Sequence, residues 1–354
     1  MEMDTDSKIQ EFYTGENRKQ IHGQFVRLIQ MIRDRDFTNV RQVLTEDCEI
    51  HYSTVGHHKG IEPICRALMW PGIAMDIRKA QILNFTARSS GKQAVQTAYL
   101  QCIEAKDDGV NVFPFIFGGE YANRLVKEDG IWKFSEIRFD LCYAKGNTIF
   151  VKDRWVLMDE SAYCGHEPMI NPDIDNPWRV IPVDDEPQGN EERIFELLYK
   201  YAYAFDHNDY RFMREFTTDN FYITASFEEA ALWSDQPDPA DLAGYRQVTD
   251  FLRSKFHKEA KMMHSCRMGR ILFKEDMAVA YMPRGEDHRL KNCVMNRDNV
   301  HGICTTAIHT VYAKYDRSTN QWNMFKYNVN PIPTIFAKAE EDCLEFHEYF
   351  GGRV

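Results

Sequence analysis

Three residues in the second half of the chain, Tyr201, Asp206 and His264, have the types that proton transfer at a carbon centre calls for. A histidine has the unperturbed pKa closest to neutrality. Near pH 7 it can therefore take a proton from a carbon beside a carbonyl and return it to a leaving hydroxyl. An aspartate bonded to the other ring nitrogen fixes the tautomer and stabilises the imidazolium, and a tyrosine hydroxyl can donate to a carbonyl oxygen as enolate charge develops. Each residue also has a plainer reading: a core tyrosine on an apolar helix face, a helix-end acid and a satisfied buried histidine. On an ideal helix five residues turn Tyr201 and Asp206 about 140° apart, so both reach one cavity only if the helix ends near Asp206. The following His207-Asn208-Asp209 is suited to such an ending. Elsewhere, His51, His57 and His58 lack a carboxylate or cysteine at a recognisable ligand spacing and read as polar strand and loop residues. Arg33, Glu120 and Arg124 are the candidates for a second site of another kind in the first half.

The elements that must position these residues occur twice. Residues 32–50, IRDRDFTNVRQVLTEDCEI, lie without a gap on residues 205–223, FDHNDYRFMREFTTDNFYI. GIEPICRAL from Gly60 then matches GYRQVTDFL from Gly244, and both copies close with a strand, a turn and a tryptophan strand, around Trp132 and Trp322. Each copy opens on an apolar stripe at helical spacing: Phe25, Leu28, Ile29 and Ile32 in the first, and Ile194, Leu197, Leu198, Tyr201 and Phe205 in the second. Long alternating segments broken by Ser89-Ser90-Gly91, Glu128-Asp129-Gly130 and Asp316-Arg317-Ser318 read as antiparallel strands. Three helices followed by a curved antiparallel sheet predict an α+β class, with two cone-shaped barrel domains fused as a pseudo-dimer.

The expected boundaries are a first domain over residues 18–145, a Pro-rich linker over 146–189, a second domain over 190–335 and a C-terminal tail over 336–354. Within the linker, Ile149-Phe150-Val151 and Trp155-Val156-Leu157 should pack on something. Insertions at 227–242 and 284–301 occur only in the second copy and read as lid loops. A net charge of -11 with mixed signs offers no basic stripe for phosphates, so nucleic acid is not an expected partner. No run approaches the roughly 18 apolar residues of a membrane span, and the polar start is unlike a secretory signal. Nine cysteines, an odd number with no C-x-x-C pair, read as reduced thiols. The expectation is a cytoplasmic protein.

The pattern EERIFELLYKYAYAFDHNDYRFMREFTTDNFYI, then G-x-x-x-V-x-x-F-L, then a histidine before a long strand, resembles the SnoaL-like branch of the nuclear transport factor 2-like superfamily. The second copy is most similar to its dehydratases of steroid, bile-acid and scytalone type. That resemblance implies a cone enclosing an apolar cavity, no metal and no organic cofactor, with His264 as base, Asp206 as its orienter and Tyr201 as electrophile. It also implies substrate-binding roles for His309 and Asn328, and alternation puts His309 on one face with Val311 and Ala313. The implied reaction is loss of water from a hydroxylated ketone or enone of steroid, bile-acid or polyketide type. An isomerase or cyclase on the same cavity, and a non-catalytic small-molecule binding or assembly protein, are the alternatives. The first copy has Leu28, Arg33 and Met75 where Tyr201, Asp206 and His264 stand, so it is expected to be structural. Further association of chains is left open.

Overall fold

The apolar stripe of the first copy becomes α1 (Glu16–Asp34), which buries Ile21, Phe25, Leu28 and Ile29. The corresponding stripe of the second becomes α4 (Asn190–Asp206), which buries Ile194, Leu197, Leu198, Tyr201 and Phe205. The computed structural model describes residues 13–69, 75–107, 112–157, 168–181, 189–224, 242–252, 260–267, 269–290 and 304–331. The chain divides into two units, the first essentially residues 1–188 and the second 189–288 with 303–353.

In the first unit α1 is followed by a short 3-10 turn (Val40–Gln42), β1 (Leu44–Tyr52), β2 (Gly56–Lys59), α2 (Ile61–Leu68), β3 (Ile77–Ser90), β4 (Gln93–Asp107), β5 (Val112–Glu128) and β6 (Ile131–Gly146). The sheet order is β2-β1-β6-β5-β4-β3. All neighbours are antiparallel except β1 and β6, which run parallel. Phe25 of α1 packs edge-on to Tyr121 of β5, so α1 covers the face on which Tyr121 lies.

The second unit repeats this path. After α4 come α5 (Tyr210–Met213), β7 (Thr217–Thr224), β8 (Leu242–Ala243), α6 (Gly244–Leu252), β9 (Ala260–Cys266), β10 (Arg270–Lys274), β11 (Met277–Leu290), β12 (Cys304–Asp316) and β13 (Gln321–Pro331). Its order is β10-β11-β12-β13-β7-β8, with β7 and β13 parallel. Strand β9 also pairs with β11, so β9 and β10 together do what β3 does alone. Both units are therefore α+β, as the repeat predicts, but each sheet is mixed where an antiparallel one was expected, because its first strand runs parallel to its last. The glycines opening the matched helices, Gly60 and Gly244, both have φ of 82°, a left-handed geometry that a side chain strains. The tryptophan strands are tied to the helix starts in the same way. Trp132 Nε1 donates to Asn17 Oδ1 at 3.3 Å and Trp322 Nε1 donates to Asn190 Oδ1 at 3.1 Å.

Part of the segment read as a linker packs as a strap on the first sheet. Val151 is buried although Ile149 is exposed, Trp155 meets Phe115 and Phe117 at 5.6 and 5.0 Å, and Val156 N–H donates to Thr54 O. Further on, the Asp140 carboxylate accepts from Met169 and Ile170 N–H. Asp175, in the short helix α3 (Pro172–Asp175), lies 3.6 Å from both Arg124 and Arg138. Prolines set the backbone of this strap, while its apolar and acidic side chains find partners on β5 and β6.

Residues 284–290 extend β11 as strand, where a loop was expected. The rest of the lid readings, residues 227–241 and 291–301, and the tail at 336–354 lie outside the described residues. Among the described residues no helix is long and apolar enough to cross a membrane.

Candidate active site

Helix α4 ends at Asp206, the condition for Tyr201 and Asp206 to share a site. The ending is local: His207 leaves helical geometry, Asn208 is left-handed at φ 58°, and the Asp209 side chain accepts Phe212 N–H to start α5. Released from the helical repeat, Asp206 turns to β9. One carboxylate oxygen accepts the backbone N–H of His264 at 2.9 Å, and the other is hydrogen-bonded to His264 Nδ1. Both side chains are nearly closed to solvent, at 2% and 3% exposure. A carboxylate can only accept, so the proton is on Nδ1 and the Nε2 lone pair is the basic one. Phe205 closes edge-on over the imidazole at 4.5 Å.

Tyr201, one turn before Phe205, is buried and stacks on it at 6.0 Å with planes 11° apart. It also meets Tyr327 of β13, at 4.3 Å. The Tyr327 hydroxyl shares a hydrogen bond with His309 Nδ1, and both rings are fully buried. An unbroken run of ring contacts therefore joins the Asp206–His264 pair, through Phe205, Tyr201 and Tyr327, to His309.

Asn328 does not join this group. In the register of β12 and β13, His309 faces Val329, Val311 faces Tyr327 and Thr310 faces Asn328. Side chains alternate, so His309 and Tyr327 share the face that α4 covers while Asn328, also buried, lies on the other. The cause is a bulge at Phe325, between the pairs Tyr312–Lys326 and Ala313–Met324. Counted back from the 316–321 turn without that extra residue, His309 would face Asn328. The bulge exchanges Asn328 for Tyr327, a residue that sequence reasoning missed.

The remaining candidates are dispersed. His51 and His57 meet through their Nδ1 atoms at 2.7 Å across the β1–β2 pair, and His58 Nε2 bonds Val55 O. Among the described residues no cluster of three or more potential ligands could hold a metal ion. Glu120 and Arg124 are on alternate positions from Tyr121, hence on the sheet face away from α1, which carries Arg33. Those three form no common site.

Residues 14–138 match the SnoaL-like domain family. No curated protein matches the chain. Among solved structures it is similar to the Kfla4162 protein from Kribbella flavida, at 18% identity over 38% of this chain and 96% of that one, with a TM-score of 0.35. It is also similar to a hexachlorocyclohexane dehydrochlorinase from Novosphingobium barchaimii, at 17% identity over 40% and 93% with a TM-score of 0.32. A nuclear transport factor 2-like superfamily protein from Salmonella enterica matches at 15% identity over 35% and 89%, with a TM-score of 0.31. The chain is thus a tandem of two like-ordered α+β units, of which the first matches the SnoaL-like domain family over residues 14–138.

Proposed function

We propose that the second unit is an acid–base enzyme of the dehydratase type, working with its own side chains on a hydroxylated ketone or enone of steroid, bile-acid or polyketide class. The observation that carries this reading is the seat of His264. The Asp206 carboxylate engages its backbone N–H and its Nδ1 together. The ring is thereby fixed in one tautomer and one orientation before substrate arrives, and positive charge on it would be balanced at once.

In this reaction His264 Nε2 takes a proton from the carbon next to the carbonyl, and the C–H electron pair moves into an enolate. The Tyr201 hydroxyl donates to the enolate oxygen. As the electrons return to form the carbon–carbon double bond, the C–O bond breaks and the imidazolium gives its proton to the departing hydroxyl, which leaves as water. His309, positioned by Tyr327, binds substrate on the same face. Asn328 has no part in this site.

The test is a mass-spectrometric screen of the wild-type protein and His264→Ala against hydroxylated keto-steroids and aromatic polyketides. The expected result is a product lighter by one water, with turnover falling roughly 100- to 10,000-fold in the variant. A product isomeric with its substrate would replace the dehydratase by an isomerase at the same base. A folded His264→Ala as active as wild type would overturn the assignment, and binding without turnover across the panel would favour a binding protein.

A further inference from the structure

The two histidines of the candidate site are both held through Nδ1, and their partners differ in kind. His264 Nδ1 meets the Asp206 carboxylate, which can only accept. His309 Nδ1 meets the Tyr327 hydroxyl, which can donate or accept. The direction of that second bond decides what His309 has to offer, because the nitrogen that bonds a partner sets the state of the other.

His309 and Tyr327 are both fully buried, at 0% exposure. A charge buried so deeply is costly without a counter-charge beside it. Asp206 supplies one to His264, whereas a phenol supplies none to His309. The His309 ring is therefore neutral, and one of its nitrogens is bare. A phenol, with an ordinary pKa of about 10, gives up its proton more readily than the N–H of a neutral imidazole, and a bare ring nitrogen is the better acceptor of the two. The Tyr327 hydroxyl thus donates to Nδ1. Strand pairing keeps the partners in place: with Val311 facing Tyr327 and His309 facing Val329, the two rings are diagonal neighbours on one face, 5.3 Å apart.

We infer that the two histidines are held in opposite tautomers, His264 with a basic Nε2 and His309 with a bare Nδ1 and the proton on Nε2. Tyr327 is the positioning residue of His309, as Asp206 is of His264. The consequence for the substrate rests on the reaction proposed above. There His264 takes the proton from carbon and Tyr201 serves the enolate oxygen, so the donor at His309 is matched by a further acceptor oxygen. Tyr327 stands between Tyr201 and His309, which puts that oxygen beyond the enolised carbonyl. The substrate class is narrowed to ketones or enones with a second carbonyl or ether oxygen at the far end of the skeleton.

Long-range proton–nitrogen NMR spectra of the full chain with labelled histidine, taken near pH 7, read which ring nitrogen is protonated. His264→Ala and His309→Phe assign the signals. The expected result is a proton on Nδ1 of His264 and on Nε2 of His309. In Tyr327→Phe the His309 Nδ1 resonance should move downfield as its accepted hydrogen bond is lost. A proton on His309 Nδ1, or a resonance unmoved in Tyr327→Phe, would overturn the inference. Calorimetric titration then compares androstanedione, with a carbonyl at each end, and androstanone, which lacks the one on its D ring. Wild type should prefer the dione by roughly 5- to 100-fold, the cost of a buried donor left unmatched. His309→Phe should abolish that preference and His264→Ala should keep it. Equal affinity of wild type for the two, or binding of neither, would overturn the substrate class. The stated tautomers and the dione preference support the inference even without turnover, whereas absence of turnover counts only against the reaction. If His309→Phe does not fold, the wild-type spectra and the wild-type comparison decide.

Discussion

At the scale of single residues, the second unit turns on how a carboxylate uses its two oxygens. Asp206 accepts from two N–H groups of the same residue, and an amide in its place has only one oxygen to offer. In Asp206→Asn the amide N–H₂ faces either the backbone N–H or Nδ1–H, so His264 is driven toward the tautomer whose Nε2 is protonated and cannot act as base. The expected result is a fall in kcat of roughly 100- to 10,000-fold on any compound the wild type converts, with KM within about threefold. Denaturant unfolding should show a loss of about 1–3 kcal/mol from the buried donor left unpaired. A variant with wild-type kcat would show that Asp206 orients nothing. The first unit lacks this pair altogether, having Arg33 and Met75 at the matching positions.

At the scale of elements, α1 includes a histidine that serves no evident chemistry. His22 is buried between Tyr13 at 5.0 Å and Phe85 at 4.8 Å, its Nδ1 has no hydrogen-bond partner, and burial pushes its pKa down to about 4. The unfolded chain takes up a proton near the ordinary histidine value of about 6.5, whereas the folded one does not until much lower pH. Stability should therefore decline as pH falls from about 6.5 to about 4 and level off below, by about 3 kcal/mol in all from this group. In His22→Phe, whose ring suits the same aromatic cluster, that part of the decline should vanish from urea-unfolding curves taken across the range. An unchanged pH dependence would mean that His22 is protonated in the folded state. The short helix α5 shows the opposite economy. Asp209 caps it, and the same three-residue break that starts it also aims Asp206 at β9.

At the scale of the whole molecule, the repeat is physical as well as textual. Asn17 and Asn190, matched by the same gap-free offset that aligns 32–50 with 205–223, each receive the indole N–H of the tryptophan strand in their own unit. Asn17→Ala and Asn190→Ala should each cost about 1 kcal/mol, and the double variant about the sum, since the two bonds share no partner. Denaturant unfolding checks this, and a cost confined to one of them would break the equivalence. This much of the architecture was legible in the sequence, because helical and strand periodicities, turn residues and Gly60 and Gly244 are local signals that survive divergence. So was the ending of α4 at His207-Asn208-Asp209, and with it the possibility that Asp206 could turn toward a strand. The strap over residues 168–181 was not, since proline content reads as a tether until its partners Asp140, Arg124 and Arg138 are brought to it. Nor was the meeting of Arg78 with Glu104, which lie far apart along the chain and become neighbours only by strand pairing. The sharpest case is β13. Alternation within one strand is written in the sequence, but which residue of the next strand shares its face depends on register. A single bulge at Phe325 reversed that choice, taking Asn328 away from His309 and supplying Tyr327. Residue types and local periodicity determined what chemistry each copy could attempt, and long-range pairing decided which side chains would meet to do it.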